Sequence, residues 1–412
     1  MNNFPVSNDK YNPKYAPDNA EIIFFLLSIQ FIGFFFYGGF KTIFPFILQS
    51  YGYSHSQIAI NWSIIFTIAL FVGGFFTRIP MGILSDLLSR KQGLIFGTII
   101  AMTSIFLILF TENIIILGIL FALLRTGTHI FPLTTRSYVN ETNPVKQGKF
   151  NGYVLIGTDI ASFLGPIILD FFLEISLTHL ILFSCGLLLI VTFFLNFTTP
   201  KKIKRRKLSV NKIFVQSITE LSEIKKILAV FIIIGLINGT YGTVLVLFAT
   251  HPLNLSTTIT TFIVGTIQVT AVFFILISRN LYRKFGLFFL IISGIIFIFC
   301  GAVIINLGNV NVVSFIIGSI LINGGLQINI NSLVTSVTLT ASKETSATSF
   351  GIASGCFFLG ASLIPILIGF LYNLNPFFPY IIIIFICLIV IIPVLQIKKE
   401  YQDKESFRSA LG

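Results

Sequence analysis

Asp86 to Leu94 reads DLLSRKQGL, and Arg279 to Leu287 reads RNLYRKFGL. The shared pattern, Leu-x-Arg-Lys-x-Gly-Leu, recurs at an offset of about 193 residues, each time just after the second apolar run of its half of the chain. A second pair of marks repeats in the same way. Gly152 and Pro166 are as far apart as Gly351 and Pro365, each pair in the fifth run of its half. Self-similarity over such a distance means that one unit of six runs is used twice, and duplicated six-helix units are a membrane-protein architecture with the binding site between the copies.

Composition agrees with that reading. The 412 residues are 55% hydrophobic and only 10% charged, with a mean hydropathy of +0.94, whereas a soluble domain carries about 25% charged residues. A spanning helix needs about 20 apolar residues. About twelve such runs fit, at roughly 22–48, 57–80, 93–111, 113–138, 150–173, 177–198, 227–250, 257–278, 286–306, 310–338, 347–372 and 377–397. The expected fold is an all-α membrane protein with about twelve transmembrane helices in two pseudo-symmetric six-helix bundles. Its parts are a polar N-terminal tail (1–21), an N-terminal bundle (22–199), a basic linker (200–226), a C-terminal bundle (227–397) and a C-terminal tail (398–412). No cleavable leader is read in the polar tail, and the first apolar run is long enough to stay in the membrane.

The net charge of +12 is unevenly placed. Connections on the side of the termini hold Arg90, Lys91, Lys146, Lys149, the cluster PKKIKRRK (200–207), Arg279, Arg283, Lys284 and Lys343, whereas the opposite connections hold Glu112, Glu174, His55, His179 and His251. By the positive-inside rule both termini are expected in the cytoplasm of a cell (plasma) membrane protein. The basic linker reads as an orientation signal that meets anionic lipid headgroups, with 210–224 a surface helix. Nucleic acid is not expected as a partner, because no aromatic interleaving or nucleic-acid fold accompanies the basic run. Cys185, Cys300, Cys356 and Cys387 form no CxxC pair and read as small core residues, not as disulfides or metal ligands.

Several polar groups sit inside the apolar runs. In LFALLRTGTHIFPLTTRSYVN (120–140), Arg125, His129, Pro132 and Arg136 fall on one helical stripe. An arginine at the centre of a bilayer helix costs about 3 kcal/mol on insertion scales, so it faces a wet cavity or a partner. Both readings stand at this point: a substrate or ion pathway, or a buried charge paired with a carboxylate. Asp159 lies at mid-span on the next helix, and a salt bridge to Arg125 is the expected way each tolerates burial. Opening of that pair would make Asp159 a proton carrier, with His129 a second proton site. The first run offers Gln30, Tyr37 and Lys41; the seventh, Asn238 and Tyr241; the tenth, Asn323, Gln327, Asn329 and Asn331. For any one amide or tyrosine, a helix-to-helix hydrogen bond is the alternative role.

These residues resemble the major facilitator superfamily over nearly the whole chain. The stretch GILSDLLSRK (82–91) is similar to its motif A: Gly82, Asp86, Arg90 and Lys91 match, while Leu87 and Ser89 stand where the family has a basic residue and glycine. In the family this cluster latches the two halves in the outward-open state. Arg125 with Gly127 looks like a shortened motif B, which the family associates with proton coupling. Gly152, Ala161, Gly165 and Pro166 resemble the antiporter motif C, with Ala161 in place of the usual glycine. In the superfamily, helices one, four, seven and ten line the central cavity, the same four marked here by clustered polar residues.

The resemblance implies a secondary active transmembrane transporter of a small organic solute, proton-coupled and working by alternating access. Lys41, Arg125 and His129 set against Asp159 favour an anionic or zwitterionic metabolite. Multidrug or lipophilic compound efflux by proton antiport is the alternative, and a non-transporting membrane sensor with the same fold is another. An enzyme is not expected, since no HExxH, nucleophile elbow or histidine cluster is present. Nor is a channel, since no filter pattern is seen. No metal, cofactor or ATP-binding loop is read. The expected partners are a small-molecule substrate, protons and the lipid bilayer, with the chain a monomer.

Overall fold

The structure, a computed structural model, describes residues 19–87, 90–142, 147–197, 209–342 and 345–411. It is helical throughout: α1 (Asn19–Ser50), α2 (His55–Ile68), a π-helical segment (Ala69–Phe76), α3 (Arg78–Leu87), α4 (Arg90–Leu107), α5 (Ile114–Thr142), α6 (Gln147–Ile175), α7 (Leu177–Phe197), α8 (Val210–Ser222), α9 (Lys225–Thr250), α10 (Thr257–Leu307), α11 (Val312–Thr340), α12 (Ser346–Leu363), α13 (Pro365–Leu374) and α14 (Phe378–Leu411). Among the described residues, eleven helices are long and apolar enough to cross a membrane. Within α7, Leu177–Thr192 is a shorter apolar helix. That accounts for the twelve expected spans. Large apolar side chains such as Phe71, Phe96, Phe171, Phe273 and Phe385 stay exposed, as they would on a surface that faces lipid rather than water.

Two breaks shape the helices of the second half. The eighth and ninth runs, together α10, are two helices that meet at a kink at Gly286, whose φ of 80° and ψ of −178° only glycine adopts without strain. Its counterpart in the repeat, Gly93, lies within helix α4. The eleventh run is broken at Ile364, and Pro365 opens α13 at a position where its missing N–H is not needed. In the first half, Pro166 sits inside the unbroken α6. Cys300 is exposed, not a core residue as expected; Cys387 is buried, and Cys185 and Cys356 are half-buried.

The two halves pack by equivalent close helix crossings. In the first, α1 lies on α6: a Cβ at Gly38 would stand 3.0 Å from Ser162 Oγ, and one at Gly39 would stand 3.1 Å from the Gly165 carbonyl carbon. In the second, α9 lies on α12: a Cβ at Gly239 would stand 2.9 Å from the Ala361 carbonyl carbon, and Gly360 meets the Ile232 carbonyl still more closely. Small residues let helix backbones approach to this degree in a lipid setting, where dispersion contacts hold the helices together.

Between the halves, α12 packs on α3 and the π segment, α13 on α2, and the first part of α10 on α6. On the face that carries the termini, Gly82 is one point of closest approach. A Cβ there would lie 2.8 Å from the Ala347 carbonyl oxygen and 2.9 Å from Thr348 Cα. At mid-depth Trp62 Nε1 donates to the Thr243 carbonyl at 3.1 Å. On the opposite face Thr258 Oγ1 donates to Glu174 Oε1 at 2.7 Å, and Asn373 Nδ2 donates to the Ser56 carbonyl at 3.1 Å. The linker helix α8 buries Ile213, Ser217 and Leu221 and packs against α3 and α12. Its Glu220 Oε2 accepts from Thr345 Oγ1 at 2.6 Å and from the Ser342 amide at 3.2 Å, at the N-terminus of α12.

Candidate functional site

Halfway along the helices the two bundles leave a cavity of about 140 Å³. It is lined from α1 by Phe34, Tyr37, Gly38, Lys41 and Thr42, and from α6 by Thr158, Asp159 and Ser162. The second half contributes Asn238, Tyr241 and Gly242 of α9, Gln268 of α10, and Asn323 and Gln327 of α11. One cation, Lys41, and one carboxylate, Asp159, belong to this lining, and the remaining polar groups are amides and hydroxyls. α1 and α9 turn polar residues into the cavity, while Gly39 of α1 packs on α6 and Gly235 and Gly239 of α9 pack on α12.

Asp159 is 1% exposed. Its Oδ1 accepts a long bond, 3.5 Å, from Gln327 Nε2 of the other half. Its Oδ2 is buried without a hydrogen-bond partner. An unpaired buried oxygen of this kind costs free energy until a donor reaches it, and a proton or a donor group of a solute would serve. Lys41 Nζ stands 5.5 Å from the centroid of Phe66, on the cavity side of α1. Tyr241 donates to the Ser319 carbonyl at 3.2 Å, and Asn323 Nδ2 to the Ile267 carbonyl at 3.0 Å. Both therefore serve helix contacts as well as lining the cavity.

The structure separates Arg125 and His129 from this lining and does not pair Arg125 with Asp159. Arg125, 1% exposed, donates from Nη1 to the Tyr37 hydroxyl. Its guanidinium carbon lies 4.8 Å from the Tyr37 ring centroid and 4.3 Å from that of Phe358. Arg78 takes the same ring, at 4.9 Å, and bonds through Nη2 to His129 Nδ1. The His129 ring packs among Phe34, Tyr37 and Phe358. Two arginines of the first half thus hold one phenylalanine of the second. Aromatic faces stabilise guanidinium groups by about 2 kcal/mol or more when water is excluded, so π-faces and a phenol take the place of the expected carboxylate. Tyr37 belongs to both groups and joins this cluster to the cavity.

Other expected site residues fall elsewhere. Gln30 is fully buried and accepts from Thr158 Oγ1 at 3.5 Å, so it braces α1 against α6 and does not line the cavity. Asn329 donates to the Gly325 carbonyl of its own helix, and Asn331 Nδ2 donates to Ser278 Oγ at 2.5 Å. Gly165 lies in the α1–α6 crossing, with the buried Ala161 one turn before it and Pro166 one residue on. Within motif A, Gly82 and Lys91 are described, whereas the side chains of Asp86 and Arg90 lie outside the described residues, as do those of Arg136 and the surroundings of Gly152. Gln268 and Phe358 were not legible as site residues. Gln268 is the lone amide of its run, and Phe358 is one phenylalanine among many in apolar segments.

A helical membrane protein of two like bundles around a buried polar cavity is the architecture of secondary transporters. The chain belongs to the Major Facilitator Superfamily, whose family model matches residues 26–349; it is a membrane transporter rather than an enzyme. No curated protein matches it by sequence. Among solved structures it is similar to that of the human organic anion transporter MFSD10 (TETRAN), with a TM-score of 0.72 at 14% identity, over 92% of this chain and 99% of that one. At that identity the likeness is one of fold.

Proposed function

We propose that the chain is a secondary active transporter that carries a small anionic or zwitterionic organic solute by alternating access, with Asp159 as the site that couples transport to protons. The observation that carries this reading is the midplane cavity in which Lys41 and Asp159 both take part and Asp159 Oδ2 has no partner. A cation in a low-dielectric cleft attracts a carboxylate or similar anion. A carboxylate oxygen in the same cleft takes either a proton or the ammonium group of a zwitterion. Gln327 of the second half already reaches Asp159 of the first, so protonation or solute binding at this point acts on both bundles together. The placement of Lys and Arg supports cytoplasmic termini, and the reading sets the chain in the plasma membrane. Arg125 enters this mechanism through Tyr37, as a positioning residue and not as a ligand.

The test is reconstitution into liposomes with an imposed pH gradient and a panel of labelled zwitterions, anions and lipophilic cations. Asp159→Asn should abolish proton-driven accumulation and leave solute exchange largely intact. Lys41→Met should raise the half-saturating concentration of anions by about tenfold or more, the effect of one lost charged hydrogen bond. Unchanged accumulation by Asp159→Asn removes that residue from the coupling, and a preference for lipophilic cations overturns the substrate class.

A further inference from the structure

Opposite the face with the termini, two histidines meet across the seam. His55 opens α2 in the first half, and His251 caps the C-terminus of α9 in the second. Both are exposed. Their ring centroids are 5.0 Å apart, with an interplanar angle of 33°. Between and behind them is a cavity of about 20 Å³ that both line, together with Gln49, Thr250 and Tyr372. That is room for one water or one ion. Two imidazoles on a tetrahedral zinc, with metal–nitrogen bonds of about 2.0 Å, place their ring centroids about 5 Å apart. The observed separation already has that value, and rings of exposed histidines turn about χ1 and χ2 to aim their nitrogens. A seam contact beside them fixes the approach, Asn373 holding the Ser56 carbonyl at 3.1 Å, while within the second half Tyr372 donates to the Leu247 carbonyl at 2.8 Å and steadies the end of α9.

We propose that His55 and His251 form a binding site for a divalent transition metal of the zinc or nickel class, one ligand from each half, in which bound metal holds this end of the two bundles together. Water and the Gln49 side-chain oxygen are the available further donors. The site uses neutral imidazole nitrogen, which selects zinc, nickel or copper over magnesium and calcium. Its metal-binding half stands on the geometry alone. The locking half rests on the alternating-access reading above, since a clasp matters only if this seam opens.

The experiment has two arms on the full-length protein. In detergent, Zn²⁺ should raise the thermal midpoint by about 2 °C or more while Mg²⁺ does not, since a ligand that binds only the folded state stabilises it. The rise should vanish in His55→Ala and in His251→Ala and survive in His179→Ala, which removes an exposed histidine elsewhere. A rise that persists in both site variants, or none in the wild type, overturns the site. In liposomes, external Zn²⁺ should slow solute flux by about fivefold or more, the lower end of allosteric couplings, and neither site variant should respond. A zinc-dependent midpoint with unchanged flux overturns the lock while the site stands. Absence of flux under any condition counts against the transport reading and leaves the first arm intact.

Discussion

Replacing Phe358 by methionine keeps most of the volume and removes the ring that two arginines share. The Arg78 and Arg125 guanidinium carbons lie 4.9 and 4.3 Å from its centroid. Such a contact is worth about 1 kcal/mol at an exposed site and about 2 kcal/mol when desolvated, so the pair contributes about 2–4 kcal/mol. Phe358 belongs to α12 and the arginines to α3 and α5, so this energy is spent across the seam. If the ring leaves the arginines when the seam parts, the substitution raises the parted population roughly 30- to 900-fold. Hydrogen exchange in nanodiscs reads this directly, because amides protected only in the joined state exchange in proportion to the opened population. Amides of 78–87 and 346–358 should exchange faster by that factor in Phe358→Met and remain near wild type in Phe358→Tyr, which keeps the π-face. Equal protection in the two variants would refute the argument, because volume and not the ring would then hold the seam. A change spread evenly over all helices would refute it too, since it would report general loosening.

Three further outcomes follow from the same geometry. Gly360→Ala drives a methyl group into the Ile232 carbonyl and should lower stability by about 1–3 kcal/mol; Gly186→Ala, which meets nothing within 4 Å, should leave the thermal midpoint unchanged or raised, and equal loss in both would sink the crossing argument. Glu220→Gln removes the negative charge that accepts from Thr345 and Ser342 at the start of α12 and should speed hydrogen exchange of that helix's first turn by about five- to thirtyfold, as expected for about 1–2 kcal/mol. The His251 imidazole is held below its ordinary range, first by burial and then by the neighbouring His55. For a base with a depressed folded pKa, stability is full above the unfolded value of about 6.5 and is lost as pH falls through the folded one. In metal-free buffer the advantage of wild type over His251→Gln should therefore shrink on acidification from pH 7.5 to pH 5, and a flat difference would contradict this sign.

The number of helices and the two-fold plan were readable because both rest on long-range statistics of the chain, apolar runs and a repeated motif. Tyr37, Lys41, Asp159, Asn238, Tyr241, Asn323 and Gln327 stood out for a local reason: a polar group inside an apolar run has few explanations. The structure brings these seven to one cavity. What failed was pairing. An angular argument places Arg125 and Asp159 on faces of their own helices, but the rotation of each helix about its axis is set by packing. Here α1 comes between them, held against α6 by Gly38 and Gly39. The partners Arg125 did take, a phenol and a phenyl ring, carry no sign of charge complementarity in the sequence.

The π-helical segment Ala69–Phe76 interrupts α2 and α3; in the rod that packs against it, Ile364 and Pro365 interrupt α12 and α13. Each of these two facing rods is therefore jointed along its length. Far-side and near-side portions answer to different neighbours, α2 to α13 and α3 to α12. Removing one residue from 69–76 would spin everything beyond it by about 100°, swinging Arg78 off its ring and Gly82 off its contact. The wide turn thus acts as a phase adjuster, letting one continuous rod present a correctly aimed surface at both of its ends.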